Sequence, residues 1–221
     1  MTTKTTPASS RAATGLRRTD AAITGLAITT GALLAGGHAA DASRPSSDAA
    51  HVADAADAAV RAFERWQLTD DVADFQDYAD HRKAAAIATA DELGASSEEL
   101  RRDWSKASLE EQQAVLSAIT QLGTRYRSLG SSPETGFDCS GLTSWAYAEA
   151  GVDIPRTSGG QISDAERLAD DALHAGALVH YPGHVGLYVG AGLYVHSPYS
   201  GATVEITTLP ERSLSFGDLV S

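Results

Sequence analysis

The sequence predicts an α+β fold, in which a helical region comes first and a small antiparallel sheet follows. Between residues 51 and 122, apolar side chains recur at the three- to four-residue spacing of amphipathic helices. After residue 176, four short apolar segments alternate with Gly-rich turns, which is typical of antiparallel strands. A run of helices followed by a run of strands indicates an α+β architecture. We therefore expect helices packed on one antiparallel sheet.

An all-helical extension is predicted over residues 43–107. Residues 43–50 are rich in Ser, Pro, Asp and Ala and predict a linker. Two amphipathic helices follow, separated near residues 68–70, and a third begins after Ser96 and ends near Lys106. The aromatic residues of this extension are predicted to pack rather than to bind a ligand. They are Phe63, Trp66, Phe75, Tyr78 and Trp104.

A second domain is predicted over residues 108–221. Ser108 and Glu111 have the spacing of a capping box, which starts a helix that runs to residue 122. Another helix is predicted over residues 138–150, where Gly151 ends it. The predicted strands cover residues 177–181, 184–189, 193–196 and 203–207.

Residues 1–42 predict an N-terminal signal peptide that directs export. Four basic residues precede an apolar stretch over residues 21–37, and small residues follow it, as in a cleavable signal. An uncleaved signal anchor is the alternative, but the stretch is short and Thr-rich for a membrane span. We therefore expect a secreted protein, extracellular or associated with the cell wall, with no stable membrane insertion after cleavage.

The charge of the chain narrows the classes of partner. The formal net charge is −12 at pH 7. An acidic surface repels the phosphates of nucleic acids, so no nucleic-acid partner is expected. It also disfavours peripheral binding to anionic lipids.

The single cysteine, Cys139, is the first candidate for chemistry. One cysteine cannot form an internal disulfide, which leaves an intermolecular bridge or a free reactive thiol. Cys139 falls in the first turn of the helix predicted over residues 138–150, where unpaired N–H groups favour the thiolate. The alternative is an inert thiol packed as a small apolar side chain.

Two histidines are placed to assist this thiol. His184 begins one predicted strand and His196 ends the next, with the turn at residues 190–192 between them. In such a hairpin the start of one strand lies opposite the end of the other, so the two imidazoles are expected to form a hydrogen bond. One imidazole then fixes the tautomer of the other, as in a nucleophile–base–orienting group arrangement.

The C-terminal half, residues 109–221, resembles the NlpC-type family of papain-like cell-wall cysteine peptidases. The resemblance rests on a series of short motifs that occur in order. They are Gly123-Thr124-Arg125-Tyr126, Ser131-Ser132-Pro133, Phe137-Asp138-Cys139-Ser140-Gly141, Pro155-Arg156-Thr157-Ser158 with Gln161, Gly176-Ala177-Leu178-Val179, His184-Val185-Gly186-Leu187-Tyr188 and Val195-His196-Ser197-Pro198.

The resemblance implies a papain-like fold and a peptidoglycan endopeptidase. Cys139 would be the nucleophile, His184 its base and His196 the polar third member of a Cys-His-His triad. The bond cleaved would lie in the peptidoglycan stem peptide, between D-γ-glutamyl and the diamino acid, with no cofactor and no metal. Two further roles are implied: Tyr126 near the oxyanion, and Asp138 with Ser140 at the polar end of the stem peptide.

Some residues depart from the family pattern. Leu129 stands where the family commonly has Gly, and because Leu adopts positive φ at a cost, we expect an altered loop beside Cys139. Ala177 replaces an Asp, which removes a structural hydrogen bond. His174 and His180 are expected to be solvated or on a strand edge. Arg156 is expected either to bind a substrate carboxylate or to form a structural ion pair.

Two other functions remain open at this point. The same fold and triad can serve an amidase or an acyltransferase acting on another amide. A wall-binding module with a decayed site is the non-enzymatic alternative.

Overall fold

The computed structural model describes residues 47–220, and the predicted signal peptide, residues 1–42, lies outside the described residues. Six α-helices are found in this part of the chain. They are α1 (Ser47–Thr69), α2 (Val72–Leu93), α3 (Ser97–Lys106), α4 (Leu109–Thr120), α5 (Cys139–Glu149) and α6 (Ser158–Asp164). The strands are β1 (Ser131–Ser132), β2 (Gly136–Phe137), β3 (Glu166–Leu168), β4 (Leu178–Tyr181), β5 (His184–Gly190), β6 (Leu193–His196), β7 (Glu205–Thr208) and β8 (Ser215–Asp218).

The main sheet has six strands in the order β3-β8-β4-β5-β6-β7, and all its pairs are antiparallel. Strands β4 to β7 correspond to the four strands predicted from the sequence. The last strand, β8, inserts between β3 and β4, and neither β3 nor β8 was predicted. Helices followed by one antiparallel sheet confirm the α+β fold class.

Side-chain caps set the helix starts. The Asp71 carboxylate accepts the Ala73 N–H at the start of α2. Ser108 and Glu111 form the predicted capping box at the start of α4, each side chain accepting the other's backbone N–H. The predicted linker over residues 43–50 is wrong in its second half, because α1 already begins at Ser47. Its Ala-rich residues continue the helix rather than end it.

The helices of the extension share one apolar core with the sheet, and residues 47–220 belong to a single compact unit. Helix α3 is fixed to the turn between β5 and β6 by polar contacts as well. The Trp104 indole N–H donates to the Val189 carbonyl at 2.7 Å, and the buried Asp103 accepts the Ala191 N–H at 3.0 Å. The other aromatic rings of the extension contact one another between α1 and α2. Trp104 is therefore the aromatic residue that ties the extension to the sheet.

Among residues 47–220, none of the helices is both long enough and apolar enough to span a bilayer.

Candidate active site

Cys139 is the first residue of α5, and its thiol is free and partly buried. Asp138 caps this helix, because its carboxylate accepts the Gly141 N–H at 2.7 Å. The helix start packs tightly on the preceding loop, and a Cβ on Gly141 would lie 1.9 Å from the Gly130 carbonyl oxygen. The backbone N–H groups in the first turn of a helix carry partial positive charge, so they can stabilise an oxyanion formed beside them.

The Asp138 carboxylate is the centre of a polar cluster behind the thiol. Arg156 binds it with two N–H donors, one to each carboxylate oxygen, both at 2.9 Å. The same guanidinium donates to the Ser140 hydroxyl at 3.0 Å, and the Leu129 N–H donates to Asp138 at 2.9 Å. Of the two roles open for Arg156, the structure shows the ion pair. Asp138 and Ser140 are thus bound to protein groups on this side.

His184 and His196 lie at the start of β5 and at the end of β6, where the hairpin argument predicts them. His184 Nε2 is 2.8 Å from His196 Nδ1, and the rings are perpendicular at 89°. Both side chains are buried. Burial, with the Arg212 and His180 charges, lowers the pKa of His184 to about 4. Burial and the neighbouring His184 lower the pKa of His196 to about 3. Both imidazoles are therefore neutral at neutral pH.

One proton lies in the hydrogen bond between the two neutral rings. The ring that carries this proton determines whether His184 Nδ1 can act as a base. If His184 carries its proton on Nε2 and donates it to His196, its Nδ1 has a free lone pair for a proton from the thiol. His196 must then carry its own proton on Nε2. That atom is buried, has no hydrogen bond within residues 47–220, and lies 3.5 Å from the Glu205 carboxylate.

Glu205 was not predicted as a site residue. It begins β7 and is directly opposite His196 in the strand register. A strand over residues 203–207 was predicted, but its register against β6 is not readable from the sequence, so this contact could not be found.

A hydrogen bond joins the histidine strand to the cysteine helix. The Ser197 hydroxyl, one residue after His196, donates to the Phe137 carbonyl, two residues before Cys139, at 2.7 Å. Helix α5 also packs against β5 and β6. The nucleophile candidate and the histidine pair thus belong to one locally braced site.

Two aromatic side chains border this site. Tyr126 forms a backbone bridge to Phe137, and burial, followed by the charges of Asp138 and Cys139, raises the pKa of its phenol. It also lines a cleft of about 550 Å³. Tyr181 stacks on the His184 ring, with the two ring centroids 4.9 Å apart. The Arg212 guanidinium lies over the Tyr181 ring, 4.5 Å from its centroid. These contacts hold the His184 imidazole in one orientation.

Leu129, where an altered loop is expected, adopts φ 61°, in the left-handed region, with its side chain 85% exposed. A residue with a Cβ holds this conformation at the cost of backbone strain. One expectation about the residues around the site is wrong. His174 was expected to be solvated, but it is buried, and its Nε2 lies 2.7 Å from Glu111. The hydrogen bond with Glu111 raises the pKa of His174. His180 lies on β4, an inner strand.

An α+β domain with a free thiol at a helix start and a hydrogen-bonded histidine pair is typical of cysteine peptidases. Residues 123–219 match the model of the NlpC/P60 family.

Curated relatives and a solved structure share this region. The bifunctional muramidase/DL-endopeptidase CwlT of Bacillus subtilis is 39% identical over 105 residues, which are 43% of this chain and 32% of CwlT. The murein DD-endopeptidase MepH of Escherichia coli is 40% identical over 108 residues, 44% of this chain and 40% of MepH. The chain thus covers less than half of either relative. The crystal structure of the P60 domain of antigen MAP1204 from M. avium subspecies paratuberculosis is 26% identical, with 51% of this chain and 96% of that chain covered and a TM-score of 0.46.

Proposed function

We propose that this protein is a secreted peptidoglycan endopeptidase that hydrolyses the amide between D-γ-glutamyl and the diamino acid of the stem peptide. Cys139 is the nucleophile, His184 the general base and His196 the residue that orients it. The observation that carries the proposal is the Ser197–Phe137 hydrogen bond, which braces the histidine pair against the helix start that holds Cys139.

The proposed reaction is an acyl transfer in two steps. His184 Nδ1 takes the thiol proton, the Cys139 sulfur attacks the scissile carbonyl, and the oxyanion is stabilised by N–H groups of the α5 start and by the nearby Tyr126 hydroxyl. His184 then gives the proton to the leaving amine as the C–N bond breaks. In the second step water, deprotonated by His184, hydrolyses the thioester and regenerates the thiol.

Three features support a peptide substrate. The cleft that Tyr126 lines, about 550 Å³, is within the usual size of ligand sites. Residues 123–219 match the NlpC/P60 family model, and the relatives CwlT and MepH are named as endopeptidases. The neutral His184–His196 pair forms an intact base, which argues against a decayed site that only binds the wall.

The bond that is cut has a second candidate. CwlT is named a DL-endopeptidase and MepH a DD-endopeptidase, and the two are about equally similar to this chain. Cleavage of the D,D cross-link is therefore the alternative, and it uses the same residues. An amidase or acyltransferase would use them as well, on an amide outside the stem peptide.

The test is digestion of purified cross-linked peptidoglycan by the full chain, with the fragments identified by mass. We expect products ending in D-γ-glutamate from the wild type and none from Cys139→Ala. His81→Gln, a change on α2 at a side chain that is 42% exposed, is the matched control and should digest normally. Fragments cut at the D,D cross-link would show that this bond is the one hydrolysed, by the same mechanism. Full activity of Cys139→Ala would overturn the mechanism.

A wild type that binds the wall without cutting it would favour the binding module. Export needs its own test, since it rests on residues 1–42 alone. We expect the mature protein outside the cytoplasm, with Ala40 or Ser43 as its first residue, as determined by N-terminal sequencing.

A further inference from the structure

A second cluster of ionisable side chains lies in the interior, away from the proposed catalytic residues. It consists of Glu111 in α4, His174 in the loop before β4, and Asp218 at the end of β8. Glu111 is 2% exposed and His174 is 7% exposed, and Asp218 is half-buried. The proposed reaction does not use these groups. They lie near the start of β4, where Leu178 pairs with Gly217, whereas His184 pairs with Tyr181 at the end of β4.

Backbone groups orient each member of the cluster. His174 Nδ1 lies 3.0 Å from the Ala172 carbonyl, which can only accept, so Nδ1 carries a proton and donates it. One Glu111 oxygen accepts the Ser108 N–H at 2.9 Å, and one Asp218 oxygen accepts the Val220 N–H at 2.8 Å. One ligand atom of each side chain is left to face the others. A histidine that donates its second N–H to a backbone carbonyl is the usual support of a metal ligand.

The spacing of these three atoms suits a small cation. His174 Nε2 lies 2.7 Å from a Glu111 oxygen and 3.9 Å from an Asp218 oxygen, and all three atoms lie within 4.8 Å of one another. Around a tetrahedral ion with bonds of about 2.1 Å, ligand atoms are separated by roughly 3.4 Å. The two measured separations lie on either side of that value, so shifts of under about 1 Å complete the site.

The net charge of the cluster also favours binding of a cation. Two carboxylates and one imidazolium have a net charge of −1 in an interior where unbalanced charge is costly. Two carboxylates, a neutral imidazole and a divalent cation are balanced. Gly176 packs against Glu111 so closely that an added Cβ would meet the Glu111 Cβ at 2.6 Å, which fixes the loop that carries His174.

We propose that Glu111, His174 and Asp218 bind one first-row divalent cation, Zn²⁺ foremost, as a structural site. Imidazole and carboxylate ligands are those that Zn²⁺ accepts, and three protein ligands leave one position for water. The ion joins the start of α4, the loop before β4 and the C-terminal strand β8, which are far apart in the sequence. Binding therefore stabilises the folded chain, because the three ligands come together only when the chain folds.

The test uses the purified full chain, freed of metal with a chelator and then titrated with Zn²⁺. Calorimetry should show one ion bound per chain. Zn²⁺ at a hundredfold excess over its Kd should raise Tm by roughly 5–10 °C. Co²⁺ in place of Zn²⁺ should give the visible absorption bands of a tetrahedral site. These readouts do not depend on peptidase activity, so they stand apart from the proposed function.

Two variants and one matched control decide the result. His174→Gln and Asp218→Asn should lose the bound ion and the rise in Tm. His81→Gln should keep both, because His81 has a single exposed carboxylate partner, Asp77 at 3.4 Å. If the wild type binds no more Zn²⁺ than His174→Gln, or if its Tm does not respond to Zn²⁺, the proposal is overturned and the cluster is an ion pair. Loss of binding in His81→Gln alone would also overturn it.

Discussion

Leu129 offers a sharp test of how the loop beside Cys139 is held. Its φ of 61° lies in the left-handed region, and its side chain is 85% exposed, so little packing is lost when it is removed. Its backbone N–H donates at 2.9 Å to the Asp138 carboxylate, which also caps α5. Replacing Leu129 with Gly removes the strain and leaves the hydrogen bond in place.

The magnitude follows from two opposing terms. The left-handed region costs a residue with a Cβ about 1–2 kcal/mol, which Gly avoids. Gly also raises the entropy of the unfolded chain, and this lowers the gain in stability by about 0.4–1 kcal/mol. Leu129→Gly should therefore stabilise the protein by about 0.5–1 kcal/mol, or roughly 1–4 °C in Tm for a chain of this size.

The assay is urea unfolding of the wild type, Leu129→Gly and Leu129→Ala. The Ala variant is the control, because it removes the side chain but keeps the Cβ and its strain, so its stability should match that of the wild type. Peptidase activity should be unchanged in all three, since the Asp138 cap is preserved. If Leu129→Gly is no more stable than Leu129→Ala, the strain argument is refuted.

Three further outcomes are expected. Because burial lowers the pKa of His184 to about 4, its imidazole stays neutral as pH falls, so kcat/KM should persist to about pH 5 and decline below it. A decline centred near pH 6.5, with the fold intact by circular dichroism, would contradict this. His184→Ala should remove activity almost completely and His196→Ala less so, because water can partly replace an orienting group; the reverse order would exchange their roles. Arg156→Lys keeps the charge but loses the two-point contact with Asp138, so kcat/KM should fall about tenfold while Arg127→Lys, an exposed change nearby, has no effect.

The elements that the sequence predicts well have local causes. Residues close together in the sequence determine the capping box at Ser108 and Glu111 and the break near residues 68–70. Both features are present in the structure. The hydrogen bond between His184 and His196 also follows from a local feature, the tight turn at residues 190–192 between the two strands. Short-range signals of this kind need no knowledge of the rest of the chain.

The features that the sequence does not reveal depend on distant partners. Strand β8 pairs with β3, which is about fifty residues earlier, and both strands are short and weakly apolar. The contact between Glu205 and His196 depends on strand register. The burial of His174 depends on Glu111, 63 positions away. None of these pairings has a local sequence pattern, so only the assembled fold shows them.

The hydrogen bond from the Trp104 indole to the Val189 carbonyl limits where the chain can be truncated or fused to another protein. The region that matches the family begins at residue 123, yet the sheet within it is covered by residues that come earlier. A fragment starting there would expose the apolar back of the sheet and leave the Val189 carbonyl without its donor. The region that matches the family is thus smaller than the unit that shares one apolar core, because helices α1 to α4 contribute to that core as well.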